Sequence, residues 1–132
     1  MCVSCISLMN RGAKNCGPER RVESNVITSE RDPEVRIHLP NSAQYVGADR
    51  WVLYGMADCE LHAFVDADPQ KNVQRLYWVQ FEGYLPTRPE LKHNYDSPRH
   101  ANIGGMDFYL LGCPTTGNST VLSVRSSSSY DT

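Results

Sequence analysis

The chain has 132 residues, of which 40% are hydrophobic, 21% charged and 9% aromatic, enough for one domain and too few for two. Thirteen Lys and Arg against fifteen Asp and Glu leave a formal charge of -2, so the electrostatic footprint of a dedicated nucleic-acid binder is missing. No run approaches the roughly 18 apolar residues of a transmembrane helix, which excludes such a span.

The first segment is polar. No secretory leader is readable, because the apolar stretch ending at Met9 is short and the first basic residue is Arg11. A reduced, cytoplasmic chain is the expectation. The five cysteines are Cys2, Cys5, Cys16, Cys59 and Cys113. Cys2 and Cys5 form a C-x-x-C pair, but a zinc site needs two further ligands at compatible spacing and a redox pair needs a helix N-terminus. Neither is legible. Acylation of Cys2 and Cys5, helped by Arg11, Lys14, Arg20 and Arg21, is the third alternative. The favoured reading is a tail with incidental thiols, without metal or cofactor. Between residues 10 and 34 the only large apolar residues are Val22, Val26 and Ile27, so residues 1–34 are expected as a flexible N-terminal segment.

The core belongs in the middle, since eight of the twelve aromatics lie between Tyr45 and Tyr84. Val35, Ile37 and Leu39 alternate with Arg36 and His38, which predicts a short one-faced strand ended by Pro40. Trp51 to Ala57 is apolar at nearly every position and reads as a strand buried on both faces. Cys59, Leu61, Ala63 and Val65 then alternate with Glu60, His62, Phe64 and Asp66, the pattern of a two-faced strand.

Val73 to Tyr84 is less plain. Val73, Leu76, Tyr77, Phe81 and Tyr84 fit a helical stripe with Asp68 and Pro69 as its start. Val, Tyr, Trp and Phe are nonetheless strand formers, and Ala67 to Asn72 suits a hairpin loop. A strand is favoured. Pairing Asp66 with Gln74 then sets His62 opposite Trp78 and Glu60 opposite Gln80. Cys59, Leu61 and Ala63 meet Phe81, Val79 and Tyr77 on the other, apolar face.

Past Tyr84 the prolines 86, 89 and 98 and the polar run Lys92 to His100 predict a long loop, ended by Gly104-Gly105 before the apolar Met106 to Leu111. From Pro114 onward 10 of 19 residues are Ser or Thr, which predicts a disordered tail over 112–132 with a weak edge strand available at Thr120 to Val124.

The run from Val35 through VLYGMADCELHAFVDAD and NVQRLYWVQFEGYLP to GGMDFYL resembles a family of uncharacterised small microbial proteins over residues 35–110. That resemblance implies no activity, cofactor or catalytic residue. It implies instead that ordered sequence continues past GGMDFY in similar proteins, so a truncated or alternatively spliced product is an expectation here.

Glu60 and His62 stand at i and i+2, so a strand projects both to one face. As a metal pair they would need a third ligand from Glu82, Asp66, His93 or His100. As acid-base machinery, His62 supplies the imidazole, the side chain that exchanges protons nearest neutral pH, and Glu60 and Glu82 tune it. Trp78, Gln80, Tyr84, Arg99 and His100 complete the expected substrate-binding set. The bland alternative makes Glu60, His62 and Gln80 cross-strand partners on a solvated face. Tyr95 to His100 reads as an anion-binding lid or, more simply, a turn begun by Asp96-Ser97-Pro98. No G-x-S-x-G, Walker A loop, G-x-G-x-x-G or H-E-x-x-H occurs.

The expected fold is α+β, a curved, barrel-like antiparallel sheet over residues 35–111 covered on one face. The expected function is binding of a small organic ligand, with acid-base catalysis of an isomerase, cyclase or lyase type at His62. The alternative is a non-catalytic protein-interaction module, a homodimer through an open sheet edge included. A closed pocket holding His62 and Glu60 favours the first reading; an open sheet with Trp78 exposed favours the second.

Overall fold

The structure, a computed structural model, describes residues 17–31, 33–94, 98–112 and 120–124. The Cys2–Cys5 pair, Cys16, Cys113 and the Tyr95–Ser97 part of the loop lie outside the described residues. Nine strands occur among those described, in three antiparallel sheets of three strands each.

The first sheet is β1 (Arg21–Glu23), β2 (Val26–Glu30) and β3 (Glu34–His38), in that order. Ser24 and Asn25 make the tight β1–β2 turn with φ of 45° and 62°, the left-handed region that a two-residue hairpin turn demands and asparagine tolerates. Asn25 also fixes the exit from this sheet. Its side chain donates to the carbonyls of Pro40 at 3.1 Å and Ala43 at 2.6 Å, and its own carbonyl accepts from the Leu39 amide at 2.9 Å. In β3, Val35 and Ile37 turn inward and Arg36 and His38 outward, as the alternation predicts.

The second sheet is β4 (Gln44–Leu53), β5 (Ala57–Ala67) and β6 (Val73–Tyr84), with β5 central and β4 and β6 at its edges. Phe64 and Phe81 from this sheet meet Ile27 of β2 and Ala43 in the buried core, with Val22, Val35, Ile37, Leu39, Tyr77 and Val79 packed around it. The two sheets therefore face one another across a thin apolar layer. The third sheet is β7 (His100–Ile103), β8 (Met106–Gly112) and β9 (Thr120–Val124). Thr120 to Val124 is indeed an edge strand, paired with β8.

Four expectations are corrected. The fold is not α+β: there is no helix among the described residues, and the architecture is mostly β. The curved sheet does not close into a barrel, and its inner face is covered by another sheet. Two of the covering strands, β1 and β2, fall inside residues 1–34, where composition predicts a flexible segment. Trp51 to Ala57 is not a buried strand either. Its first part ends the edge strand β4, Tyr54 and Gly55 turn at φ of 50° and 67°, and Ala57 begins β5.

A fifth correction fixes the site. Asp68, Pro69 and Gln70 form a turn rather than a helix start, closed by the Lys71 amide on the Asp68 carbonyl at 2.9 Å, with Lys71 at φ 68°. The hairpin leaves this turn with Ala67 opposite Val73, the expected register. Asp66 then pairs with Arg75, so Gln74 is an extra residue in β6. One bulged residue shifts every later pair by one position. Glu60 lies opposite Phe81, His62 opposite Val79 and Ala63 opposite Trp78. Tyr77, Val79 and Phe81 thereby join the inner face, while Trp78, Gln80 and Glu82 go to the outer one.

Candidate functional site

The alternation of β5 is as the sequence implies, but its polar row points into the molecule. Glu60 and His62 retain 1% and 0% of their surface, as buried as Phe64. Burying an ionised carboxylate is costly unless its lone pairs are occupied. Those of Glu60 are. Oε2 accepts the Glu19 amide at 2.8 Å and the Arg20 guanidinium at 3.3 Å, and Oε1 accepts the Arg20 amide at 2.9 Å and lies 2.8 Å from His62 Nε2. Burial alone would raise the Glu60 pKa, but the hydrogen bonds from Glu19, Arg20 and His62 outweigh it and hold the carboxyl below its ordinary range.

The other ring nitrogen of His62, Nδ1, lies 3.3 Å from the Tyr45 hydroxyl. The Glu60 carboxylate can only accept, so Nε2 donates to it, while Nδ1 meets a hydroxyl able to donate or accept. Burial, reinforced by the charge of Glu60, pushes the Tyr45 hydroxyl above its ordinary pKa and so keeps it a donor. The His62 and Phe81 rings meet nearly perpendicular at 6.2 Å between centroids, and the Arg20 guanidinium covers the same phenyl ring at 4.3 Å. Arg20 also donates to Ser29 at 3.3 Å, tying the carboxylate to the first sheet.

A second charged cluster adjoins the first. Arg50, opposite Glu60 on β4, grips Asp58 through Nε at 2.9 Å and Nη2 at 2.5 Å, and reaches Glu19 at 3.3 Å. Glu19 in turn accepts from Arg31 at 2.7 Å. The guanidinium bonds hold Asp58 and Glu19 below their ordinary carboxylate range.

The expected site is only partly assembled. Glu60 and His62 are together, as their spacing implies. Glu82 is not with them: it sits across from Cys59 on the outer face, where burial chiefly, and then Glu82, push the Cys59 thiol up to about 11. Trp78 and Gln80 share that outer row, in a ladder running from Trp78 Nε1 to Gln80 at 3.2 Å and from Gln80 to Glu82 at 3.2 Å. Tyr84 stacks on His93 at 4.4 Å, Arg99 is exposed just before β7, and the ring of His100 lies 4.4 Å from Tyr109. Neither Glu82 nor any of these five joins the hydrogen bonds around His62 described above. Arg20 and Tyr45, which do, carry no local signal in the sequence. Tyr45 reads there as one more core aromatic, and Arg20 lies in the polar stretch before the core.

A cleft of about 420 Å³ opens over β1 and β2, lined by Glu19, Arg20, Arg21, Thr28, Ser29, Glu30 and Arg31, and neither Glu60 nor His62 lines it. Among the described residues no three His, Cys, Asp or Glu side chains are grouped to hold a metal ion, and no helix is long and apolar enough to cross a membrane. No known family, characterised protein or solved structure matches the chain.

Proposed function

We propose that the chain is a non-catalytic protein-interaction module whose partner is a second copy of itself, paired through the free edge of β6. The carrying observation is the contrast across one sheet: Leu76 and Trp78 are each 59% exposed on edge strand β6, while His62 is fully covered. Among the described strands β6 pairs with β5 alone, so this twelve-residue strand with an apolar row presents the amides and carbonyls of its other edge to a further strand. Symmetric antiparallel pairing about Tyr77 sets Leu76 of each copy opposite Trp78 of the other, so the edge is complementary to itself. Small sheets over a thin core gain most from such an extension.

The test is the mass of the protein in solution. Sedimentation should give a dimer, and Trp78→Glu together with Leu76→Glu, which opposes like charges across the pairing, should give a folded monomer. A wild-type monomer at about 100 μM, where even weak specific association is populated, would remove the reading.

A second reading, acid-base catalysis on a small organic ligand, is supported by the Tyr45–His62–Glu60 chain of contacts. It requires the segment over Glu60 to move aside, because no substrate reaches His62 in the closed arrangement.

A further inference from the structure

Residues 17–20 pass across the inner face of the second sheet, and charged groups on both sides hold them there. Glu60 accepts the amides of Glu19 and Arg20 and the Arg20 guanidinium. Arg50 reaches the Glu19 carboxylate at 3.3 Å and the Gly17 carbonyl at 3.5 Å. Under this strap lie Glu60, whose Oε1 is 2.8 Å from His62, and the ring of Phe81.

We propose that the segment Gly17–Arg20 is an acid-released cover over the Glu60–His62 pair, with the Glu60 carboxylate as its catch. The inference does not depend on how β6 pairs. The groups facing Glu60 are Arg20 on the strap, Arg50 and Tyr45 on β4, and His62 on β5; β6 contributes only Phe81 there. Protonating Glu60 replaces an acceptor of four contacts by a group that must itself donate, and it removes the carboxylate charge that the Arg20 guanidinium meets at 3.3 Å. Glu19, which anchors the strap to Arg50 and Arg31, loses its charge in the same acid range. Both carboxylates are held below their ordinary range in the closed state. They therefore stabilise closure above the ordinary carboxyl pKa, and that contribution is lost as pH falls through the depressed values. The β5 ladders to β4 and β6 are backbone hydrogen bonds without a titrating group, and they persist.

Amide exchange of the full chain, followed residue by residue by NMR, tests this. Below about pH 4 the Glu19 and Arg20 amides should lose at least about tenfold in protection while Leu61 and Ala63 of β5 keep theirs. In Glu60→Gln the same two amides should be unprotected at neutral pH already, whereas Glu82→Gln on the outer face should behave as wild type. Should Glu60→Gln not fold, the wild-type titration decides alone. Glu19 and Arg20 amides that stay protected in acid, or that open only together with Leu61 and Ala63, would overturn the proposal.

Discussion

The two faces of the β4–β5–β6 sheet invert the usual distribution. The inner face carries Glu60, His62, Arg50 and Tyr45 between Phe64 and Phe81, and the outer face of β6 leaves Leu76 and Trp78 in solvent. Polarity does not decide which face is inside. What decides it is that residues 21–38 build a second sheet whose Ile27, Val35 and Ile37 need a surface, and that the strap preceding β1 brings two amides and a guanidinium to the fully buried carboxylate of that surface. A buried polar row is tolerable where each member is paired, and costly where one is missing. An exposed apolar row is tolerable alone, or useful against another strand.

The largest effect should come from moving the faces themselves. Gln74 is the bulged residue, so its deletion would leave the Ala67–Val73 and Asp66–Arg75 pairs and every later one in place, whereas one alanine inserted between Leu76 and Tyr77 keeps Val65–Leu76 but swings Phe81 and Val79 outward and Trp78, Gln80 and Glu82 inward. Gln80 and Glu82 would then crowd the Phe64 layer, and the insertion variant should fail to show a cooperative unfolding transition by circular dichroism. Gln74→Ala keeps the residue count and should remain within about 0.5 kcal/mol of wild type. If the insertion folds as well as the substitution, the register of β6 does not set the faces.

Two truncations of similar size measure the comparison directly. Phe64→Ala removes a fully covered ring from the inner layer and should cost about 3–5 kcal/mol in denaturant unfolding. Trp78→Ala removes a larger ring from the outer face and should cost about 0.5 kcal/mol in the monomer. Comparable losses at the two positions would mean that Trp78 is covered in solution, which the β6 pairing predicts only at concentrations where dimer forms.

The strands are more legible in the sequence than their faces. Val35 and Ile37 against Arg36 and His38 place β3, and the alternation from Cys59 to Asp66 places β5 and sets Glu60 beside His62. Both patterns are local and need only period two. The bulge at Gln74 has no composition of its own, since glutamine is as ordinary in a regular strand, and a single uncounted residue moves Glu82, Gln80 and Trp78 away from His62. β1 and β2 are hidden differently. Three and five residues long, joined by Ser24-Asn25 rather than a glycine turn, they look like polar linker until Ile27 finds Phe64 and Phe81. Arg20 and Tyr45 reach the site from outside β5, and contact across 40 and 17 residues leaves no spacing to read.

The smallest effect concerns the rim of the inner face, where the Arg50–Asp58 pair is partly open to solvent. Its two parallel guanidinium–carboxylate bonds give good geometry, but water screens the pair, so Asp58→Asn should cost only about 1 kcal/mol at neutral pH. The sign with pH is fixed by the direction of the shift. Asp58 is held below the ordinary value by the bond from Arg50, so it stabilises the fold above that value and ceases to as pH falls through its depressed one. The difference in unfolding free energy between wild type and Asp58→Asn should therefore be constant near neutrality and shrink steadily as pH falls below the ordinary aspartate value. A difference that persists undiminished there would show that the substituted amide disturbs Arg50 by its shape, and that the charge of Asp58 is not what holds Arg50 against Glu19 at the end of the strap.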